Sequence, residues 1–228
     1  MERSLAQRFF GVAGQSRTWL GLVYQLLAFP LGLFYFVMLV VGLSVGLSLV
    51  LIAFIGIPIL AVTVAFWWVA ASFERAMSDA MLGTAIGPSP RPWRNEQGTW
   101  RRIRAHFSSL STWKDLFYLF LKFPLGLITF VAVTVALSIP LSLLAAPFSY
   151  RFAQTQIGGT VHHGLYLGFW TIDTFGEAML VAALGLLVAF VSLHALNLMA
   201  VVWRVTNEAL LGHGPVGASP QPQPRPVT

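Results

Sequence analysis

The chain has 228 residues, of which 57% are apolar and 10% charged, with a net charge of +6 and no cysteine. Ordinary globular chains carry roughly 25% charged residues, so the composition excludes an ordinary soluble protein. The missing cysteine excludes disulfides, thiol catalysis and thiolate metal sites.

The 56 positions between Arg17 and Glu74 hold no charge, and a spanning helix needs only about 20 residues. More than one span must lie there. The preceding segment, MERSLAQRFFGVAG, has no apolar core of signal-peptide type before Trp19. A short stretch, 18–29, then leads into F-P-L-G at 29–32. Proline suits the first helical position and pushes the residue before it out of helical geometry. F-P-L-G therefore predicts a corner, with an in-plane helix over 18–29 and a first span over 30–54. I-G-I-P at 55–58 predicts a turn. The second span, 58–82, carries Trp67 and Trp68, which suit the headgroup belt. It continues as a cytoplasmic helix through Glu74, Arg75 and Asp79 to Gly83, closing a first repeat over 1–83.

Residues 84–111 form a basic linker. G-P-S-P-R-P is turn-like. T-W-R-R-I-R-A-H-F then places Trp100, Ile103 and Phe107 on one helical face. Trp100, Arg101, Arg102 and Arg104 are the expected contacts with anionic lipid. No nucleic-acid-binding fold accompanies them, so nucleic acid is not expected as a partner.

The second repeat, 112–212, restates the first at an offset of 94. Thr18-Trp19 faces Thr112-Trp113, Tyr24 faces Tyr118, and Phe29-Pro30-Leu31-Gly32-Leu33 faces Phe123-Pro124-Leu125-Gly126-Leu127. The ends of the halves match at 129, with Asp79-Ala80-Met81-Leu82-Gly83 against Glu208-Ala209-Leu210-Leu211-Gly212. Over 112–123, Trp113, Leu116, Phe117, Phe120 and Phe123 recur on one face, and Lys114, Tyr118 and Lys122 on another. Thr112 and Asp115 form a capping-box pattern. This predicts an amphipathic in-plane helix at the cytoplasmic interface. A third span follows over 124–146, an outside loop over 147–173, and a fourth span over 174–212 that opens on a Thr174/Glu177 capping box. The tail, 213–228, is proline-rich and expected to be disordered. The fold class is all-α membrane protein: four transmembrane helices, as two parallel repeats of in-plane helix plus helical hairpin, with one extracytoplasmic loop insert.

Positive residues are retained on the cytoplasmic side. They cluster in the N-terminus, the linker and after the last apolar block, whereas 147–174 holds only Arg151. Both termini are thus expected inside a bacterial or archaeal cytoplasmic membrane.

No nucleotide-binding, metalloprotease or nucleophile-elbow motif is present, so no catalytic residue, metal or cofactor is assigned and an enzyme is not expected. No Asp or Glu lies deep in a predicted span, which disfavours an ion-coupled transporter. His194 and Asn197 share a helical face as an intramembrane polar pair, expected to bond between helices. Gly42 and Gly46 suit close helix packing. The outside loop is where the halves differ most. Arg151, His162, His163, Tyr166, Trp170, Asp173 and Glu177 are its candidate sensing residues, and Gly158-Gly159 could turn a hairpin. The adjacent histidines with two acids could hold a metal, but packing over the mouth of the helices is the better expectation.

T-W-x-x-L/V-x-Y followed by F-P-L-G-L, a partner helix ending in A-x-L-G, a basic linker, a second T-W…F-P-L-G-L and an outside W-T-I-D-T-x-x-E-A resemble the Putative sensor family over about 15–212. That family is a four-helix membrane module found N-terminal to bacterial and archaeal histidine kinases in two-component signalling, and also alone. The resemblance implies signal input at the membrane and supplies no functional residues. No kinase region follows here. The expectation is a sensory module relaying an envelope or lipid signal to a separate cytoplasmic or membrane protein partner. The alternative is a structural or accessory subunit of a membrane complex such as a transporter. The sequence is compatible with a homo-oligomer.

Overall fold

The computed structural model describes residues 16–87, 108–152, 154–157, 160–166 and 171–212. Among the described residues, four helices are long and apolar enough to cross a membrane: α1 (Ser16–Ala53), α2 (Gly56–Leu82), α3 (Leu110–Leu144) and α5 (Phe175–Leu211). Between α3 and α5 lie a single helical turn, α4 (Ala146–Ser149), and four short strands, β1 (Gln154–Ile157), β2 (Thr160–His163), β3 (Leu165–Tyr166) and β4 (Thr171–Ile172). The strands form two antiparallel hairpins. Gln154 pairs with His163 and Ile157 with Thr160, flanking Gly158-Gly159, and Leu165 pairs with Ile172.

The expected corner at F-P-L-G is not there. One helix passes through Pro30, and α3 runs through Pro124 in the same way, so neither 18–29 nor 112–123 is a separate element. A proline inside a helix deletes one hydrogen bond and crowds the preceding turn, at about 3 kcal/mol. Tertiary packing overrides that local penalty here. A Cβ added at Gly32 would lie 2.7 Å from the Lys122 carbonyl oxygen, and one at Gly126 would lie 2.6 Å from that of Ala28. Phe29 stacks on Phe123 and Phe36 on Phe123, with ring centroids 6.3 and 4.9 Å apart. F-P-L-G is thus a site of backbone-to-backbone approach between α1 and α3. The only break in the first hairpin falls at Phe54–Ile55, with Phe54 at φ 55°. Pro58 sits in the first turn of α2, where its missing N–H has no helical partner to lose.

Thr18, Gly21, Gln25, Ala28, Gly32, Tyr35 and Leu39 are buried on α1, at steps of three and four. Their counterparts 94 positions on, Thr112, Asp115, Leu119, Lys122, Gly126, Thr129 and Val133, are all buried on α3. A period of 3.5 is the seam of helices that supercoil left-handedly. Of the polar face, Lys114 is exposed but Tyr118 and Lys122 are buried, while Trp113 and Phe117 of the apolar face are exposed. Lipid solvates the apolar face, so the polar stripe turns inward.

Internal contacts divide the chain into two units. In residues 24–127 with the end of α5 from Ala200, the core is Tyr35, Leu39, Trp67, Ala70, Ala71, Tyr118, Leu119 and Leu211. Gly46 packs against Leu60 with room for no side chain, and Gly42 against Thr63. In the other unit, Ala146, Tyr150, Ile172, Ala178 and Val181 cluster with Leu143. The Thr174/Glu177 capping box forms there. Thr174 Oγ1 accepts from the Glu177 N–H at 3.3 Å, and the Glu177 carboxylate accepts from the Asp173 and Thr174 N–H groups at 3.2 and 3.3 Å.

Candidate functional site: a buried polar network

Four helices send polar side chains into one buried place. Glu74, Arg75 and Ser78 come from the last turns of α2. Asp115, Tyr118 and Lys122 come from α3, where the first and last lie about two turns apart and so share a face. Tyr24 and Tyr35 come from α1. Trp203 and Asn207 come from α5 at i, i+4, with Leu211 a turn further on.

Lys122 Nζ pairs with Glu74 Oε2, both side chains fully buried, and Arg75 pairs with Asp115 at 2.5 Å, at 2% and 8% exposure. Two cations thus balance two carboxylates. Burying an ion costs several kcal/mol, roughly, unless partners and hydrogen bonds replace water. They do so here. Glu74 accepts from Tyr35 at 2.9 Å and from Tyr118 at 3.1 Å, in addition to Lys122. Lys122 also lies 4.9, 5.9 and 5.7 Å from the ring centres of Tyr24, Tyr118 and Trp203, a cation–π environment. Arg75 Nε donates to the carbonyl of Leu211, the last residue of α5, at 3.3 Å.

The hydroxyls form a directed chain. Tyr118 donates to Glu74, so the 3.3 Å bond between Tyr118 and Tyr24 runs from Tyr24. Tyr24 in turn accepts from Asn207 Nδ2 at 2.7 Å, and the same amide donates to Ser78 at 2.9 Å. Asn207 Oδ1 is buried without a partner among the described residues. Chemically the arrangement is a charge-balanced clasp that joins α1, α2, α3 and α5.

This network was not among the residues expected from sequence. Glu74 and Arg75 were expected on the cytoplasmic end of the second helix, Lys122 on an interfacial face and Asp115 at a cap. His194 and Asn197 were expected as the polar pair inside a span, and neither belongs to this network. The helices do not turn at Pro30 and Pro124, so their polar stretches pack side by side instead of lying on a surface. The signal available was the spacing of Thr112, Asp115, Leu119 and Lys122 at steps of three and four.

The expected residues fall elsewhere. Arg151 is exposed and its Nε donates to the Tyr150 hydroxyl at 2.9 Å. His162 pairs with Thr155 and His163 with Gln154 in the first hairpin, and Tyr166 with Thr171 in the second. Asp173 and Glu177 serve the cap of α5. No group of three or more His, Asp or Glu residues suited to a metal occurs among the described residues. His194 is half-buried with Nδ1 2.8 Å from the Phe190 carbonyl of its own helix, and Asn197 is exposed. Trp100, Arg101, Arg102, Arg104 and Trp170 lie outside the described residues.

No curated protein and no solved structure matches the chain. Residues 24–211 match the family model described as Sensor, putative sensor. Those limits fall on Tyr24 and Leu211, so the whole network lies inside the match. With four helices fit to cross a membrane, the chain belongs to the Putative sensor family.

Proposed function

We propose that the chain is a non-catalytic sensory module of a bacterial or archaeal cytoplasmic membrane, relaying an envelope or lipid signal to a separate cytoplasmic partner. The observation that carries this reading is the join between the family match and the network: the sensor segment ends at Leu211, and Arg75 holds that residue's carbonyl. A change in helix packing within the module would therefore be felt where α5 ends. A signal shifts such an equilibrium only through different affinity for the two packings. The candidate input is the 147–173 segment with its two hairpins, the candidate lipid contact the basic stretch at 100–104.

Replacing 151–170 with a short Gly-Ser linker tests the input. Insertion should persist, because the four helices and the charge asymmetry survive. Signal-dependent change at a probe on Val205, exposed near the end of α5, and in what a tagged copy co-purifies, should disappear. An unchanged response, or co-purification with transporter components alone, would favour an accessory subunit.

Orientation has its own test. By the positive-inside rule, both ends and the 84–111 linker face the cytoplasm. The chain has no cysteine, so single cysteines read without background. In intact cells, Thr160→Cys should react with an impermeant thiol reagent and Ser89→Cys should not. The reverse pattern would overturn the orientation.

A further inference from the structure

The clasp joins its helices by two different kinds of contact. Between α2 and α3 the contacts are ionic: Glu74 with Lys122, and Arg75 with Asp115. The end of α5 adds no charge to them. The two charged residues of Trp203–Leu211 are Arg204 and Glu208, which pair with each other at 3.0 Å on the exposed side of the helix. What seats this segment is uncharged at its own end: the Asn207 amide on Tyr24 and Ser78, the Trp203 ring near Lys122 and edge-on to Tyr24 at 5.7 Å, and the Leu211 carbonyl under Arg75.

The seat is also incompletely satisfied. Asn207 is fully buried, yet only one end of its amide has partners. A buried polar atom without a partner penalises the docked state and not the undocked one, where water reaches it. Removing the α5 segment would leave both ion pairs with their partners in place, whereas separating α2 from α3 would strand four buried charges. Local opening follows the weaker set of contacts.

We propose that Trp203–Leu211 is a releasable arm, undocking as a unit from a platform of α1, α2 and α3 that stays locked by its two ion pairs. This rests on the relay reading for its biological use, since the arm would be the moving output. Its test needs neither signal nor partner, so the two ideas can fail separately.

Leu211, on the arm, and Leu119, on the platform, are both fully buried. Leu211→Cys and Leu119→Cys are placed one at a time in the full chain, in membranes and in mild detergent, and their reaction with a permeant maleimide is timed. Leu211→Cys should react faster. Adding Asn207→Ala should speed Leu211→Cys further, by about tenfold for the hydrogen bonds removed, and leave Leu119→Cys unchanged. Arg75→Lys is the second variant. It keeps a cation for Asp115 but loses the Nε bond to Leu211, and should act in the same direction if Asn207→Ala does not fold. Equal rates at the two sites, or a parallel rise at both in the folded variants, would show that arm and platform open together and would overturn the proposal.

Discussion

Lys122→Met is expected to destabilise the protein by about 3–5 kcal/mol, the usual effect of removing one partner from a buried ion pair. Glu74 would keep its two tyrosine donors but face no cation at a position with no access to water. The double variant Glu74→Gln/Lys122→Met should recover to within about 1–2 kcal/mol of the parent, because replacing both charges avoids the stranded one. Gln retains an oxygen for the Tyr35 hydroxyl, now 2.9 Å from Glu74. Unfolding of the purified protein in mild detergent measures both. A single variant as stable as the parent, or a double variant worse than the single, would show that the pair does not hold α2 to α3.

Gly126→Ala and Gly32→Ala should each lose about 1–3 kcal/mol by overpacking, and Gly126→Val more. Alanine favours a helix over glycine by about 1 kcal/mol, so propensity alone predicts the opposite sign. Space decides against it. The new methyl would meet backbone, the carbonyl of Ala28 or of Lys122, at 2.6 or 2.7 Å, and backbone cannot rotate away as a side chain can. Gly176→Ala is the control. It lies in the first turn of α5 with nothing within 4 Å of an added Cβ, and should be neutral or stabilising. A destabilised control with unaffected Gly32 and Gly126 variants would sink the close-approach account.

Much of the fold was legible because single-helix physics dictates it. The uncharged run from Thr18 to Phe73 required more than one span. Thr174 and Glu177 announced a helix start, which α5 makes one residue later, at Phe175. Gly158-Gly159 lies between paired strands. The departures at the two F-P-L-G sites have one origin. The local cost of Pro30 and Pro124 predicts a corner, while the contacts that outweigh it, Gly32 on Lys122 and Gly126 on Ala28, lie 90 or more positions apart in the chain. A corner at those prolines places Asp115, Tyr118 and Lys122 on an interfacial helix, which masks the buried spacing of Thr112, Asp115, Leu119 and Lys122. Glu74 and Arg75 were hidden differently. Adjacent opposite charges near a helix end look like a solvated terminus, and only a partner helix with Asp115 and Lys122 two turns apart makes them a matched pair.

Tyr24 touches Tyr118, Phe29 stacks on Phe123, and Ser78 bonds to Asn207: in each case a position meets its own counterpart at the offset of 94 or 129. If two separate, identical subunits met along such a line, every side chain beside it would appear twice. A lysine at the place of Lys122 would then sit near a second lysine, and a glutamate at the place of Glu74 near a second glutamate, repelling in the medium where repulsion is least screened. Tethering the halves in one polypeptide removes that restriction. The counterpart of Lys122 is Ala28 and the counterpart of Glu74 is Trp203, so one ammonium meets one carboxylate on one side, and an aromatic ring takes the other. The buried Glu74–Lys122 pair is a product of inequality between the halves, which two identical subunits could not have.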